Sequence, residues 1–308
     1  MKVYSNIEEF QKLGKAVVTT GTFDGVHLGH YKILDRLKEV ARNCGGETVL
    51  LTFFPHPRMV LYPDSDLELI NTQEEKIALL EKAGIDHLII HPFSKKFSRL
   101  TSVAFIRDIL VNQIGTHKLV IGYDHHFGRN REGSFDHLKE YGPLYGFEVE
   151  EIPAQDVRDI AVSSTKIRKA LVSGDIKTTL AYLNHEFTLK GSVVHGAKKG
   201  RDLGYPTANI EIKEDYKIIP ANGVYVVNVF TDGNSYKGML NIGVRPTVSG
   251  TGKTIEVHIL DYTGDLYGKE IEISLLARIR DEQKFDSEEA LISQLGHDKL
   301  STLKFFSE

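Results

Sequence analysis

The sequence predicts two domains in succession, an α/β domain with a parallel sheet and then a small all-β barrel or sandwich. The 308 residues suit two domains of ordinary size, with one large domain as the alternative that length alone leaves open. Strand-like and helix-like stretches alternate in the first half, which is typical of a parallel sheet. Closely spaced strands separated by turn signals dominate the second half. The character changes near residue 186, so we expect the first domain to span residues 1–184 and the second residues 185–308.

The predicted elements of the first half follow from apolar runs of strand length and from apolar residues repeated at helical spacing. The first strand, Ala16–Thr20, is followed by a helix over His30–Asn43, which Gly45-Gly46 closes. Thr72 and Glu75 form a capping box that opens a further helix. The remaining strands are predicted at Thr48–Phe54, Asp86–Ile90, Leu119–Gly122 and Phe147–Ile152, and the remaining helices at Ser102–Ile114, Ser163–Leu171 and Ile176–Leu183.

The second half is predicted to be a series of strands joined by tight turns and followed by one helix. Asp232-Gly233 and Thr263-Gly264 are examples of the turn signals. A capping box from Asp286 to Glu289 predicts the final helix, over Asp286–Leu295. The predicted strands are Phe187–Val194, Val224–Phe230, Tyr236–Ile242, Thr254–Leu260 and Glu270–Ile279.

Composition narrows the class of protein. Hydrophobic residues make up 41% and charged residues 26%, as expected for a globular protein with a sizeable core. Lys and Arg total 38 against 42 Asp and Glu, and the resulting charge of −4 argues against a general nucleic-acid binder.

The single cysteine, Cys44, allows no internal disulfide and is interpreted as structural in a reducing compartment. No apolar run reaches the roughly 18–20 residues of a membrane span, and Met1–Phe10 lacks the pattern of a signal peptide, so a cytoplasmic protein is expected.

The segment Gly21–His30 is the most informative stretch, and it lies between a predicted strand and a predicted helix. Ligands of open α/β sheets bind at such places. Three glycines, at positions 21, 25 and 29, allow a tight turn and the close approach of a ligand, and the helix N-terminus favours phosphate. His27 and His30 are three residues apart, so both can donate hydrogen bonds to a triphosphate. Structural zinc is the competing interpretation of the histidines, but the chain shows no ordered set of three or four ligands.

Three further segments are predicted to join this site. Pro55-His56-Pro57 and Gly122–Gly128 each follow a predicted strand, and Ser163–Arg168 opens a late helix with hydroxyls and cations that suit phosphate. Each segment alone is weak evidence. The loops at the carboxyl ends of parallel strands come together, however, so the sequence predicts a nucleotide-phosphate site in the first domain.

A second group of polar residues lies in the strand-rich half. The stretch Gly200–Ile210 contains Thr207 and Asn209, which are two residues apart and therefore share one side of an extended segment. A hydroxyl oxygen and an amide oxygen suit a hard cation such as Mg2+, which also binds phosphate. The pair is therefore a candidate metal and phosphate site.

Glu256 is the candidate base of the second half. It alternates along a predicted strand with Ile255, Val257 and Ile259, which are expected to fill the core. Glu256 therefore faces either a pocket, where it can accept a hydroxyl proton, or solvent, and the strand pattern leaves both open. The stretch Asn241–Thr247 is open in the same way, as a ligand loop or as an ordinary polar loop.

The motif His27-Leu28-Gly29-His30 resembles the signature of the HxGH nucleotidylyltransferases. With the three further segments above, it resembles the adenylyltransferase module of bacterial bifunctional riboflavin kinase/FAD synthetases. The resemblance implies a Rossmann-like domain that transfers AMP from ATP to FMN and releases pyrophosphate, with His27 and His30 holding the phosphates and stabilising the pentacoordinate phosphorus. It also implies nucleotide and phosphate contacts for Gly21, Thr22, Phe23, Asp24, Gly29, Ser163, Ser164, Thr165 and Arg168, and flavin contacts for Pro55, His56 and Asp124. Two residues depart from the family: many relatives carry Asn at the position of Thr22, and some carry Asn at the position of Asp124.

The segment Gly204–Asn209 resembles the Pro-Thr-Ala-Asn motif of riboflavin kinases, and the family's remaining segments follow in the same order along the chain. The resemblance implies a six-stranded Greek-key barrel with a C-terminal helix. In it, Thr207 and Asn209 bind Mg2+ and phosphates, and Glu256 is the general base on the ribityl 5′-hydroxyl. Val194–Arg201 would form a glycine-rich flap over ATP. Further implied contacts are Gly196, Gly200 and Pro206 to the nucleotide, and Asn241, Arg245, Arg280 and Glu282 to the flavin.

The expected function is a two-step synthesis: riboflavin and ATP give FMN, and FMN and a second ATP give FAD. The expected partners are riboflavin, FMN, FAD, ATP and ADP, with Mg2+ as the metal and neither nucleic acid nor membrane involved. The main alternative is a kinase-only protein with a silent or flavin-binding N-terminal module. A flavin-binding regulator would need a DNA-reading element, for which the sequence shows no basic helix. A nucleotidylyltransferase of another substrate, such as a cytidylyltransferase, would leave the second half unexplained.

Overall fold

The computed structural model of the chain describes residues 1–152, 162–196, 200, 203–247 and 250–307. They form two compact units, Met1–Ser164 and Thr165–Glu308. The first is built on a parallel sheet and the second on a closed antiparallel barrel followed by a helix, so the predicted fold class is confirmed. The boundary predicted between residues 184 and 185 stays a prediction.

The first unit contains six strands and five helices among its described residues. The strands are β1 Lys2–Tyr4, β2 Ala16–Thr20, β3 Glu47–Phe54, β4 His87–Pro92, β5 Thr116–Gly122 and β6 Glu148–Ile152. The helices are α1 Leu28–Cys44, α2 Pro57–Leu61, α3 Gln73–Lys82, α4 Ser102–Ala104 continuing as a π-helix over Phe105–Ile114, and α5 Phe135–Tyr145, with 3-10 turns at Ile7–Glu9, Pro63–Ser65, Phe97–Arg99 and Arg129–Arg131.

The sheet of the first unit has the strand order β1-β4-β3-β2-β5-β6, and all neighbours are parallel. Successive strand residues point to opposite faces, so Val17 and Val18 enter two different hydrophobic clusters. One cluster includes Leu34 of α1 and Leu80 of α3, and the other includes the π-helix. The order reverses at β2, because the chain proceeds from β2 to β3 on one side and reaches β5 on the other. The carboxyl end of β2 is therefore the topological switch point, where open α/β sheets bind ligands.

The second unit begins with helices that precede its barrel. Its elements are α6 Ser164–Ser173, whose first residue belongs to the first unit, α7 Ile176–Leu183, β7 Phe187–Val194, β8 Ala208–Glu211, β9 Gly223–Thr231, β10 Asn234–Thr247, β11 Gly250–Ile259, β12 Glu270–Arg280 and α8 Glu288–Phe305. The barrel closes in the order β10-β11-β8-β7-β12-β9. Ile255, Val257 and Ile259 are buried, so the predicted core face of β11 is confirmed.

Some elements differ from the prediction. The final helix is capped by Ser287, whose hydroxyl accepts from the Ala290 N–H at 3.2 Å, one residue later than the box from Asp286 to Glu289. It also continues beyond Leu295 to Phe305. The sequence patterns predict neither strands β1 and β8 nor helices α2 and α5. Helix α5 contains Gly142 and Pro143, which favour a loop on local propensity.

Within the residues that the structure describes, every helix is too short or too polar to cross a lipid bilayer.

Candidate active sites

Three of the predicted segments lie at one edge of the parallel sheet. Gly21 follows β2, Pro55 follows β3 and Tyr123 follows β5. Because β3 and β5 are the two neighbours of β2, the structure brings the carboxyl ends of these strands together. The topology therefore builds the edge at which the sequence places the nucleotide site.

His27 and His30 cap helix α1 reciprocally. The His30 N–H donates to Nδ1 of His27 at 3.4 Å, and the His27 N–H donates to Nδ1 of His30 at 3.3 Å. The two rings are stacked, with centroids 3.7 Å apart. Since both Nδ1 atoms accept, each neutral ring carries its proton on Nε2. The two caps therefore use Nδ1 of each ring as the acceptor.

His30 is held neutral by its surroundings. Burial lowers the pKa of His30 well below its ordinary value, and His27 and the ammonium of Lys76 lower it further. The ring of Phe23 lies against His30, with centroids 4.8 Å apart. A neutral imidazole donates from Nε2 without adding a buried charge.

Asp24 is a buried carboxylate that is only 1% exposed. Its Oδ1 accepts from the backbone N–H groups of Ile70 (3.0 Å) and Asn71 (3.4 Å), and its carbonyl oxygen accepts from Ser164 Oγ at 2.9 Å. Asp24 therefore ties the Gly21–His30 segment to the residues before α3 and to Ser164, the last residue of the first unit.

Lys76 is a residue near this loop that sequence reasoning missed. It lies on α3 and is 2% exposed, and its Nζ donates to the carbonyl oxygen of Thr22 at 3.1 Å. Thr52 Oγ1 donates to the same oxygen at 3.2 Å. A lysine in an ordinary amphipathic helix carries no signal in the sequence, because only the tertiary packing shows its burial.

The remaining predicted residues of the first site differ in burial and in the unit to which they belong. His56 is buried and caps α2 by accepting from the Arg58 N–H at 3.1 Å, whereas Asp124 is exposed. Ser163 and Ser164 belong to the first unit. The structure groups Thr165 and Arg168 with the second unit, so their contacts with the nucleotide loop stay a prediction.

The barrel brings three predicted residues into one row. Glu256 on β11 lies directly opposite Asn209 on β8 and Asn241 on β10. Directly opposite residues share one face of a sheet, with Cβ atoms about 5 Å apart. The Thr207 hydroxyl donates to Oε2 of Glu256 at 3.3 Å. With Thr207 counted as its fourth member, the row therefore places a carboxylate, a hydroxyl and two amides together.

Close backbone approaches fix the segments beside this row. A Cβ at Gly196 would collide with the side-chain amide of Asn209, and one at Gly200 would collide with the carbonyl of Tyr205. The Pro206 carbonyl accepts from Nδ1–H of His258 at 2.8 Å. Of the predicted flap Val194–Arg201, residues 197–199 and 201 lie outside the described residues.

Two of the barrel residues predicted to contact flavin, Arg280 and Glu282, are held by side chains of the barrel unit itself. Arg280 makes a two-point ion pair with Asp298 of α8, at 2.9 and 2.7 Å, and Asp298 is only 1% exposed. Arg280 thus joins β12 to α8. Glu282 accepts from Asn222 at 3.0 Å. The side chain of Arg245 lies outside the described residues.

The donor atoms of the row suit a hard cation shared with phosphate. No group of three or more His, Cys, Asp or Glu side chains that could hold a metal occurs among the residues described. Mg2+ bound with nucleotide needs few protein ligands and prefers oxygen. Thr207, Asn209 and Glu256 supply hydroxyl, amide and carboxylate oxygens, which fit that requirement.

Fold and sites together define an ATP-dependent transferase with two catalytic modules. The family model described as FAD synthetase matches residues 9–166, and the one described as riboflavin kinase matches residues 183–306. The chain belongs to the family of bifunctional riboflavin kinases/FMN adenylyltransferases. The kinase-only alternative is not favoured, because both modules match.

Similar proteins extend over nearly the whole chain. A bifunctional riboflavin kinase/FMN adenylyltransferase from Pseudomonas fluorescens is 39% identical over 92% of this chain and 90% of its own. The protein of the same description from Listeria monocytogenes is 37% identical over 98% and 95%. A crystal structure of a macrolide-efflux protein from Streptococcus pneumoniae has a TM-score of 0.88 and 32% identity, covering 98% of both chains.

Proposed function

We propose which residues carry out the two reactions of this family. The chain phosphorylates riboflavin with ATP to give FMN, and it transfers AMP from a second ATP to FMN, giving FAD and pyrophosphate. The kinase site is assigned to the barrel and the adenylyltransferase site to the α/β unit. We assign the two modules to residues 1–184 and 185–308.

The kinase step rests on the row around Glu256. Glu256 takes the proton of the ribityl 5′-hydroxyl, and that oxygen attacks the γ-phosphorus of ATP as ADP leaves. The observation that carries this assignment is the Thr207 hydroxyl on Glu256 with Asn209 and Asn241 opposite it. Gly196, Gly200 and Pro206 approach the nucleotide, and Asn241, Arg245, Arg280 and Glu282 are assigned to the flavin side.

Thr207 and Asn209 are the residues that would hold Mg2+ beside the phosphates. The ion, when bound, neutralises the charge that develops on the transferred phosphoryl group. The oxygen donors of the row support this assignment, since Mg2+ selects oxygen ligands.

The adenylyl-transfer step rests on the reciprocally capped histidines. The FMN phosphate attacks the α-phosphorus directly, so no covalent nucleophile of the protein is needed. His27 and His30 donate from Nε2 to the phosphates as charge shifts to the leaving pyrophosphate. Gly21, Thr22, Phe23 and Gly29 shape the loop, and Asp24 anchors it. Ser163, Ser164, Thr165 and Arg168 are assigned to the phosphates, and Pro55, His56 and Asp124 to FMN.

The surroundings in which the chain works are inferred from its composition. A net charge of −4 supports small-molecule substrates rather than nucleic acid. One cysteine supports a reducing compartment, so we infer that the enzyme works in the cytoplasm and without a membrane partner.

The experiment is a time course with purified protein, riboflavin, ATP and Mg2+, in which the flavins are separated by chromatography. FMN that rises and then gives way to FAD is the expected result. FMN that accumulates without FAD, even when FMN and a reductant are supplied, would favour the kinase-only alternative. Omission of Mg2+ with a chelator tests the metal, because unchanged FMN formation would contradict its assignment.

A further inference from the structure

Lys76 is a buried cation to which the reaction described above gives no role. Its side chain is 2% exposed, although lysine is almost never fully buried unless it is paired. It sits on α3, and the capping box of Thr72 and Glu75 sets the start of that helix: the Glu75 N–H donates to Thr72 Oγ1 at 3.2 Å. Lys76 is therefore held on a well-defined helix rather than at a flexible end.

The contacts of Lys76 are directed at the nucleotide loop. Its Nζ donates to the carbonyl oxygen of Thr22, at 3.1 Å, in the loop that leads to His27 and His30. Burial lowers the pKa of Lys76, and the carboxylate of Asp24 opposes that shift. The same ammonium lowers the pKa of His30, so its field extends to the histidine that caps α1.

We propose that Lys76 is a positioning residue for adenylyl transfer, which holds the Thr22 peptide and places a positive charge beneath the phosphate-binding loop. This inference rests on the proposed function of the first unit. Lys76 and Thr52 both donate hydrogen bonds to the carbonyl oxygen of Thr22. They thereby fix the path of the backbone that leads from Thr22 to the two histidines. A displacement of about 1 Å at a reacting centre costs about 100-fold in rate, so a support of this kind affects catalysis without touching substrate.

A different role would be neutralisation of Asp24 alone. Asp24 is buried and already accepts two backbone hydrogen bonds, from Ile70 and Asn71. If Lys76 served only to balance that carboxylate, removal of both charges would leave the loop intact. If Lys76 positions the loop, removal of both charges leaves the Thr22 carbonyl without its donor.

The test compares Lys76→Met, Lys76→Arg, Asp24→Asn and the double variant Lys76→Met/Asp24→Asn. FAD formation from supplied FMN and ATP is measured as kcat and KM, and FMN formation by the barrel serves as an internal control in the same protein. We expect Lys76→Met to lower kcat of FAD formation about 100-fold, with KM for FMN nearly unchanged. We expect Lys76→Arg to retain most of kcat, since it keeps the charge and a donor.

The double variant decides between the two roles. Its kcat is expected to stay well below that of Asp24→Asn, which keeps the lysine on the Thr22 carbonyl, and a kcat equal to that of Asp24→Asn would overturn the proposal. Wild-type kcat in Lys76→Met would also overturn it. If Lys76→Met fails to fold by circular dichroism, the double variant, which leaves no uncompensated charge, carries the same test. Absence of FAD formation by the wild-type chain would refute the proposed function instead.

Discussion

The two proposed sites of this enzyme are assembled in different ways. In the α/β unit, both histidines lie within the ten-residue segment Gly21–His30, and their backbone and side chains cap one helix reciprocally. In the barrel, Asn209, Asn241 and Glu256 come from three strands and meet only through strand register. A site in one loop depends on local backbone geometry, whereas a site across strands depends on the closure of the whole barrel.

This difference predicts how each site responds to change. The loop site keeps its geometry as long as α1 begins at Leu28 and the hydrogen bonds from Lys76 and Thr52 to the Thr22 carbonyl oxygen are kept. If one strand of the barrel slips by one residue, its site residue moves to the other face of the sheet, because alternate residues face opposite ways. Substitutions that spare the backbone should therefore separate the two activities cleanly.

Glu256→Gln is expected to give the largest effect and to break one activity alone. The amide keeps the size of the side chain but is no base, so FMN formation should fall about 10²–10⁴-fold, and FAD formation from supplied FMN should continue. Both reactions are assayed on the purified variant. Glu270→Gln, at an exposed position on β12, is the matched control. Loss of both activities in a folded Glu256→Gln protein would contradict the two-site assignment.

His30→Ala should break the other activity. It removes an Nε2–H donor and one of the two reciprocal caps, so FAD formation should fall about 10²–10³-fold, while FMN formation from riboflavin continues. Steady-state rates of both steps are the measurement. His117→Ala, on β5, is the control for loss of a histidine elsewhere in the same unit. Unimpaired FAD synthesis in His30→Ala would remove His30 from the catalytic residues.

Gly196→Ala probes the close packing beside the barrel row. The added Cβ would collide with the amide of Asn209, so the backbone or the Asn209 side chain must move. A partial displacement of Asn209 should lower the rate of FMN formation about tenfold, less than the roughly 100-fold cost of a 1 Å misplacement. Gly296→Ala, in α8, meets only an ordinary contact with Tyr205 at 3.6 Å and is the control. Equal activity of the two variants would show that the contact of Gly196 with Asn209 has no catalytic role.

Ser287→Ala should give the smallest effect, on stability alone. Loss of the hydroxyl that accepts from the Ala290 N–H should cost about 1 kcal/mol of unfolding free energy. Urea unfolding monitored through kinase activity and circular dichroism is the measurement. Asp286→Ala is the control, since the observed cap is Ser287. A larger loss with Asp286→Ala would support the cap that the sequence predicts.

Much of the fold was predictable because its signals are local. The strand Ala16–Thr20, the capping box of Thr72 and the end of α1 at Gly45, whose φ is +64°, follow from short-range propensities. Local propensity does not predict helix α5, because Gly142 and Pro143 favour a loop. Packing explains the glycine, since a Cβ there would lie 2.8 Å from the carbonyl oxygen of Phe147. Strand β8 is predicted only as an extended segment, because its four residues give too short a pattern to show a strand.

The sequence by itself determined the two modules, their order and the motifs that mark each site, because glycines, caps and alternation act over a few neighbouring residues. The tertiary structure alone decided that Lys76 lies buried beneath the Thr22 carbonyl, that Arg280 pairs with Asp298, and that Glu256 faces Asn209 and Asn241. These contacts join residues far apart in the chain. Burial and strand register depend on the packing of the whole domain, which no local pattern specifies.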